Sequence, residues 1–397
     1  MRAQMTERNG SILVERLSGD ERAVKGFPKI EGDVVRLHIG DPDHPTPNHI
    51  CEAAIKAMRD GYTHYAPPGG YLELKEGICK RLWEDKRIQK NPDEILVTNG
   101  ASEGIFLSIS TLLNPGDEVL IFDPSYSLYA TAAKMLGIVP RFVPFAPGFK
   151  ITREVIEEHL SNHTRMVILN NPCNPTARFF SKEEVNVIAK LAEGKNFIVL
   201  SDEVYHKIIY DGKQHQSMSQ MEEIKERSIL VDSLSKTYAM TGWRIGYIVA
   251  PAKWITWMRM IHGVVNNTLN SIAQKAAITA VSGPQECVEL MKKGYESRKI
   301  LMEKEASNIP GLHPFPIEGT FYLFCRYSFP LKSIEIVQYL LKNGVAVRSG
   351  SEFGSQGEGC FRLSFTCDEE SLRKGMKRIR EAFLKLSDVS KREGMLN

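Results

Sequence analysis

The chain has 397 residues, of which 42% are hydrophobic and 25% are charged, and its formal net charge is +3. This composition is typical of a soluble globular protein with room for two domains, and the near balance of charge argues against a nucleic-acid or membrane partner. The seven cysteines are odd in number and contain no CxxC pair, which argues against a disulfide framework or a metal site. Residues 1–10 carry no signal-peptide pattern and no apolar run has membrane length, so we expect a cytoplasmic protein.

The N-terminal part combines helices with two loops that are rich in glycine and proline. Hydrophobic periodicity predicts helices over residues 11–24 and 48–59 and a strand over 34–39. The strand leads into Gly40 and a proline-rich loop, and Tyr65 lies in a second loop of similar composition. Glycine allows close approach to the backbone and proline stiffens the turn, so such loops can contact a ligand, although the pattern is common.

An anion site is predicted where a strand ends near residue 100. After a helix over residues 72–90, residues 94–98 have the pattern of a strand and 104–113 that of a helix, with Asn-Gly-Ala-Ser-Glu between them. In such a turn, backbone N–H groups and the helix dipole meet an anion. Ala101 keeps the backbone accessible, and Ser102 adds a hydroxyl group.

Polar or aromatic residues follow three further predicted strands. These strands cover residues 118–122, 165–169 and 197–200, and they are followed in chain order by Tyr126, by Asn174, and by Asp202 and Tyr205. A carboxylate such as Asp202, at the end of a buried strand, suits a buried cationic partner. An aromatic ring such as Tyr126 can stack on a flat, electron-poor ring.

The segment from 232 to 246, DSLSKTYAMTGWRIG, holds one lysine between two short apolar runs that predict buried strands. Burial lowers the pKa of a lysine, as a lysine that forms a Schiff base with a carbonyl requires, and Lys236 is placed for such burial. Ser233, Ser235 and Arg244 provide hydroxyl donors and a guanidinium fork, which are the groups that bind phosphate. An amine for an aldehyde and donors for a phosphate together indicate a pyridoxal phosphate site.

After residue 311 the pattern changes to short strands and helices, which predict a small C-terminal domain with a two- or three-stranded sheet. The predicted strand over 361–365 contains Arg362 among apolar residues, and a buried cation needs an anion.

Strands alternate with helices from about residue 48 to 250, which predicts an α/β fold with a doubly wound, mostly parallel sheet and ligands at the carboxyl ends of its strands. We therefore expect a large domain over residues 48–290. A small α/β domain would combine residues 1–47 with 291–397.

Three motifs carry a family resemblance. SLSKTYAMTGWRIG around Lys236, NxxNPT at 171–176 and DEVY at 202–205 resemble the class I/II, fold-type I pyridoxal-phosphate-dependent aminotransferases, of the aspartate/aromatic aminotransferase type. The resemblance covers roughly residues 35–365, with the motifs in the family's order. The chain departs at Ala177, where the family usually has glycine, and this departure puts only the local loop geometry in question.

The resemblance implies a role for each candidate residue. Lys236 would form the Schiff base and move the proton, with Asp202 and Tyr205 as further catalytic residues. The cofactor would be bound by these three and by Ala101, Ser102, Tyr126, Asn174, Ser233, Ser235, Arg244 and Tyr65, the last from the other subunit of a homodimer with shared active sites. The substrate would be bound by Gly40, Asn174 and Arg362.

The implied function is transfer of the amino group of an L-amino acid to a 2-oxo acid, with 2-oxoglutarate as the expected acceptor. Two alternatives remain open at this point. A β-lyase (C–S lyase), or a decarboxylating or ring-forming relative, would use the same scaffold. A sensor module of a transcription regulator would need an N-terminal helix-turn-helix domain, for which the ~30 residues before the first strand leave no room.

The sequence leaves the substrate undecided. An acidic substrate needs a second cation, and residues 104–113 contain no lysine or arginine. Arg16, Arg22 or a neighbouring subunit could supply one. A broad pocket could instead be shaped by Asn267, Asn270, Tyr62 and Phe353. We expect an aspartate- or aromatic-type enzyme.

Overall fold

The computed structural model describes residues 11–18 and 30–392. Its first half contains these elements in chain order: α1 (Ile12–Leu17), β1 (Val35–Arg36), α2 (Asn48–Arg59), α3 (Leu72–Lys86), β2 (Ile95–Thr98), α4 (Gly100–Leu112), β3 (Glu118–Asp123), α5 (Leu128–Met135), β4 (Val139–Pro144), α6 (Arg153–Glu157), β5 (Thr164–Asn170), α7 (Lys182–Lys195) and β6 (Ile198–Asp202).

The second half continues with β7 (Ser228–Ser233), α8 (Leu234–Thr237), β8 (Gly246–Val249), α9 (Ala252–Asn266), α10 (Ser271–Ser282), α11 (Glu286–Ser307), β9 (Leu312–Pro314), β10 (Tyr322–Tyr327), α12 (Ser333–Lys342), β11 (Val345–Ala346), β12 (Arg348–Ser349), β13 (Cys360–Ser364) and α13 (Glu369–Arg392). Among the described residues, none of these helices combines the length and the apolar character that crossing a membrane requires.

A seven-stranded sheet with the order β2-β8-β7-β6-β5-β3-β4 forms the large part of the molecule. The strands β7, β6, β5, β3 and β4 are parallel neighbours, and β8 is antiparallel to both β7 and β2. Most of these strands are buried along their whole length, as expected for a sheet covered on both faces. The doubly wound α/β fold predicted from the sequence is confirmed.

Alternate side chains of one strand show how the sheet is covered. Ile95 and Val97 belong to the core formed with α2, α3 and α10, whereas Leu96 belongs to the core formed with α4, α5 and α9. Successive side chains of a strand point to opposite faces, so helices pack on both sides of the sheet. This packing leaves the ends of the strands as the edge where polar side chains collect.

The C-terminal part forms a second sheet with its own core. Four antiparallel strands have the order β12-β13-β10-β9, which corrects the expected two or three strands. The N-terminal segment joins this part, because β1 pairs with β11 in parallel, with Val35 opposite Val345. The predicted domain boundary at residue 290 falls inside the continuous helix α11.

Several predicted element boundaries shift. The strand expected over residues 34–39 has only two residues, and the helix expected to reach residue 90 ends at Lys86, where Arg87 takes a left-handed φ of 55°. The helix expected to start at residue 104 begins at Gly100, so the anion-binding turn is itself its first turn. Residues 19–24 of the first predicted helix lie outside the described residues.

Candidate active site

A cavity of about 1290 Å³ lies where the strand ends of the large sheet meet the small sheet. It brings together side chains that are far apart in the sequence. All but one of the sequence-predicted site residues line it: Gly40, Ala101, Ser102, Tyr126, Asn174, Asp202, Tyr205, Ser233, Ser235, Lys236, Arg244 and Arg362. The exception is Tyr65, which is 84% exposed on its own chain.

Lys236 lies on the short helix α8, which connects the antiparallel strands β7 and β8. Its Nζ donates a hydrogen bond of 2.6 Å to the carbonyl oxygen of Gly40. The pKa of Lys236 is lowered to about 8, chiefly by burial and also by the charges of Arg362 and Arg244, while Asp41 opposes the shift. The result is an amine that loses its proton more than two pH units below an ordinary lysine.

Hydroxyl and guanidinium groups that can bind an anion line the same cavity as this lysine. Ser233 Oγ and Ser235 Oγ are 2.8 Å apart, at the end of β7. The Arg244 guanidinium lies over the first turn of α4, because a Cβ built on Gly100 would be 2.5 Å from Arg244 Nη2. Serine hydroxyls, a guanidinium and a helix N-terminus that starts with Gly100 and Ala101 form a cradle for a phosphate.

Asp202 ends β6 and is buried in the cavity wall. Its Oδ2 accepts a hydrogen bond of 2.6 Å from the Tyr129 hydroxyl, and its Oδ1 accepts one of 3.3 Å from the backbone N–H of Val204. Burial raises the pKa of Asp202 to about 6, and these two hydrogen bonds limit the rise. Such a carboxylate favours a cationic partner, since a nearby positive charge would stabilise its ionised form.

Tyr205 forms a buried pair with another tyrosine, Tyr322. Its hydroxyl is 2.9 Å from that of Tyr322, and burial raises the pKa of Tyr205 well above its ordinary value. The Tyr322 hydroxyl also lies against the backbone of Gly40, where an added Cβ would be 1.8 Å from it. Only glycine fits at this position, so the lysine's carbonyl partner depends on a residue without a side chain.

Arg362 lies on β13 and is 5% exposed. Its Nη1 donates to Asn174 Oδ1 at 2.7 Å, and its Nη2 donates to the carbonyl oxygen of His38 at 3.1 Å. The guanidinium also stacks 4.0 Å from the ring centre of Tyr322 and 4.8 Å from that of Phe353. Neutral acceptors leave its charge uncompensated, so the site is ready for an anion.

Tyr129 and Tyr322 also belong to the site, although neither was predicted from the sequence. Tyr129 is on α5 and reaches Asp202 only because β3 and β6 lie on either side of β5. Tyr322 faces the cavity from β10, a neighbour of β13. No local motif marks either residue; the alternation of residues 319–324 as a strand was the one available signal.

Of the residues that could select the substrate, some line the cavity and others lie outside it. Phe353 lines the cavity, whereas Tyr62, Asn267 and Asn270 do not. Arg16 donates to the carbonyl oxygen of Met135, at the end of α5, and also stays outside the cavity. A further candidate, Arg22, lies outside the described residues.

Ala177 adopts a φ of 58°, in the left-handed region. This conformation costs an L-residue about 1–2 kcal/mol relative to glycine. Its methyl group is fully buried and its carbonyl oxygen accepts the N–H groups of Glu318 and Gly319, so tertiary contacts hold the loop. The departure from the family pattern therefore bears on loop stability, and the polar groups of the cavity do not depend on it.

The donor set fits pyridoxal phosphate. The cavity offers an amine with a lowered pKa, a phosphate cradle, and a buried carboxylate for a ring nitrogen, carried by Lys236, Arg244 and Asp202 respectively. The ring of Tyr126, at the cavity wall, packs edge-on against Tyr129 at 5.7 Å between ring centres.

Comparison with known families agrees with this chemistry. Residues 32–379 match the family model described as aminotransferase class I and II. The chain belongs to the class I and II aminotransferases. Aminotransferases of this family depend on pyridoxal phosphate, so this enzyme transfers amino groups between amino acids and 2-oxo acids with that cofactor.

The alignments with individual relatives extend over nearly the whole of this chain. The aspartate aminotransferase of Pyrococcus horikoshii is 37% identical over 356 residues, which are 88% of this chain and 90% of the relative. That of Geobacillus stearothermophilus is 36% identical over 357 residues, 87% of this chain and 90% of the relative. The solved structure of an aromatic aminotransferase from Pyrococcus horikoshii has a TM-score of 0.88 and 35% identity, covering 97% of this chain and 100% of that one. These relatives give no support to the β-lyase alternative.

Proposed function

We propose that this aminotransferase moves the amino group of an L-amino acid to 2-oxoglutarate and that Lys236 carries the chemistry. The observation that carries the proposal is the position of the Lys236 amine, with a pKa of about 8, in the same cavity as the buried carboxylate of Asp202. An amine with this pKa can both accept and return a proton near neutral pH. It is therefore suited to bind the cofactor's aldehyde and later to carry the substrate's Cα proton.

The remaining residues hold the cofactor in this proposal. When bound, pyridoxal phosphate supplies an aldehyde that takes up the amino group and a ring that accepts electrons when the Cα proton leaves. Its phosphate is bound by Ser233, Ser235, Arg244 and the N-terminal turn of α4 with Ala101 and Ser102. Its ring is bound by Asp202, Tyr126, Asn174 and Tyr205. The carboxylate of Asp202 keeps a ring proton in place, and Tyr205 remains a hydroxyl donor because burial raises its pKa.

Arg362 binds the substrate's α-carboxylate. Its two N–H groups already point at neutral oxygens of Asn174 and His38, so a carboxylate can take the charge-assisted hydrogen bonds that the site lacks. Gly40 contributes its backbone to the same carboxylate. Holding the α-carboxylate orients the amino group towards Lys236.

We also propose a cytoplasmic homodimer in which Tyr65 completes the partner's phosphate site. Tyr65 is 84% exposed, and Val264 and Met260 on α9 are 88% and 68% exposed, which is unusual for large apolar groups unless a partner covers them. All seven cysteines are free, which suits a reducing compartment. We propose in addition that the large domain covers residues 48–290.

The homodimer is tested by sedimentation of the holoenzyme, which should give the mass of two chains. A monomer at micromolar concentration would contradict the proposed dimer.

The amino-group transfer is tested with an absorbance spectrum of the holoenzyme. A panel of L-amino acids is added without any oxo acid, and the band of the aldehyde form should give way to that of the amine form, in one equivalent and then stop. Adding 2-oxoglutarate should restore the first spectrum. A Lys236→Ala variant should bind the cofactor without this cycle. Continuous release of pyruvate and ammonia from cysteine would instead indicate a β-lyase.

A further inference from the structure

A third arginine, Arg348, lines the cavity besides Arg244 and Arg362. Arg348 lies on β12, directly opposite Arg362 on the antiparallel strand β13. Residues opposite each other in an antiparallel pair point to the same face of the sheet, with Cβ atoms ~5 Å apart. Both arginines line the cavity wall. The small sheet therefore presents two guanidinium groups side by side to the site.

Arg348 forms a partly exposed ion pair with Glu352. Its Nη2 lies 2.5 Å from Glu352 Oε2, and the two side chains are 25% and 34% exposed. Burial lowers the pKa of Arg348, and Glu352 opposes the shift. Ion pairs that are this exposed contribute little, so another carboxylate can compete for the guanidinium. Glu352 is anchored separately, because its Oε1 accepts the backbone N–H of Ser349 at 3.3 Å.

Lys236 and Arg244 also line the cavity, but the proposed function assigns both to the cofactor, and the groups near Arg348 are weaker candidates. Burial lowers the pKa of His38 to about 4, with Arg348 and Arg362 contributing, so this imidazole is neutral at physiological pH. Lys332 also lines the cavity, but it is exposed at the mouth. Glu358 accepts the backbone N–H of Ser333 at the start of α12.

We propose that Arg348 binds the distal carboxylate of a dicarboxylic amino acid or 2-oxo acid while Arg362 holds the α-carboxylate. The two carboxylates of aspartate or glutamate are joined by a short carbon chain, and the paired positions of Arg348 and Arg362 place two long side chains close enough to reach both ends of such a ligand. Two planar forks can then each take one carboxylate in a bidentate manner. This proposal rests on the proposed function, and it provides the second cation that residues 104–113 lack.

Glu352 sets the breadth of the specificity. A dicarboxylic substrate displaces the Glu352 carboxylate from Arg348, and Glu352 turns towards solvent. A substrate with an uncharged side chain leaves the Arg348–Glu352 pair in place, so the cation is not left uncompensated beside an apolar group. The pair therefore lets one cavity accept both classes, at a cost in affinity for the dicarboxylic class.

The test measures binding of two unreactive ligands to the holoenzyme by calorimetry: glutarate, which has two carboxylates, and 3-phenylpropionate, which has one. Arg348→Met should weaken glutarate binding about 10- to 100-fold, and it should change 3-phenylpropionate binding far less. The ratio of kcat/KM for glutamate over leucine should fall by a similar factor. Glu352→Gln should strengthen glutarate binding, because it removes the competing anion.

Lys332→Met is the matched control, since it removes one positive charge from the mouth of the same cavity. If Lys332→Met weakens glutarate binding as much as Arg348→Met does, the effect comes from the overall positive charge of the cavity and the proposal is wrong. Equal losses for both ligands in Arg348→Met, or weaker glutarate binding in Glu352→Gln, would also overturn it. Failure of the proposed function is a separate result, because the unmodified holoenzyme would then show no spectral change with any amino acid.

Discussion

The amine of Lys236 donates a hydrogen bond to a backbone carbonyl and is exposed to the charges of two guanidinium groups. Its hydrogen bond to Gly40 is short, at 2.6 Å, but burial and the charges of Arg362 and Arg244 make its protonated form costly. A lysine outside such a cavity stays protonated to a pH above 10. The reactivity of this residue therefore comes from its surroundings, and it should be measurable without turnover.

We expect the Lys236 amine of the cofactor-free enzyme to react with acetic anhydride with a midpoint near pH 8. The reagent attacks only the neutral amine, and a lowered pKa means that this form is populated from about pH 8 upward. Labelling is followed by mass spectrometry of the peptide, with the exposed Lys293 as the internal reference. Arg362→Met should move the midpoint to higher pH, because it removes a cation that lowers the pKa. An unchanged midpoint, or one near pH 10.5, would contradict this account.

At the scale of elements, the proposed phosphate cradle depends on a contact between β8 and α4. A Cβ built on Gly246, the first residue of β8, would lie 2.6 Å from the carbonyl carbon of Gly100 and 2.7 Å from the backbone nitrogen of Ala101. Both of these are backbone atoms of the first turn of α4, so neither can rotate away. The absence of a side chain at Gly246 thus lets the strand support the helix N-terminus.

Gly246→Ala should therefore weaken cofactor binding at least ~10-fold and destabilise the fold by about 1–3 kcal/mol, the usual cost of overpacking. Cofactor affinity is measured by equilibrium dialysis and stability by urea unfolding. Gly242→Ala is the control in the same connection, because a Cβ there meets no atom within 4 Å. Equal effects of the two substitutions would show that the contact with α4 is not the cause.

At the scale of the whole molecule, a buried ionic cluster joins α3 to the strands that carry the site. Lys86 Nζ lies 2.7 Å from Glu203 Oε2 and 3.3 Å from Asp232 Oδ2, and all three side chains are at most 2% exposed. These carboxylates are the sequence neighbours of Asp202 and Ser233, and they point away from the cavity. Although burial opposes ionisation, Lys86 keeps the pKa of Glu203 below its ordinary value, and His206 together with Lys86 does the same for Asp232.

Lys86→Met should destabilise the enzyme by about 3–5 kcal/mol, because it removes the lysine that two buried carboxylates share, although His206 still lies beside Asp232. The deficit should be largest near pH 8 and should shrink below about pH 5. In the unmodified enzyme the depressed carboxyl pKa values stabilise the fold at high pH and lose that effect on acidification, whereas the variant lacks it throughout. Urea unfolding at both pH values checks this. Lys56→Met, which breaks the exposed pair with Asp60, should cause no measurable change, and a deficit independent of pH would contradict the ionic explanation.

The sequence by itself determined the sheet, its helical cover and twelve of the residues that line the cavity. Buried strands appear as apolar runs, and Lys236, Asp202 and Asn174 follow such runs, so local order alone placed them at one edge of a parallel sheet. Tertiary structure decided what these residues touch. Tyr129 reaches Asp202 across the sheet, and Arg348 faces Arg362 only through the antiparallel register of β12 and β13. Hydrophobic period and turn chemistry are local properties of the chain, whereas strand pairing joins residues whose separation in the sequence carries no signal.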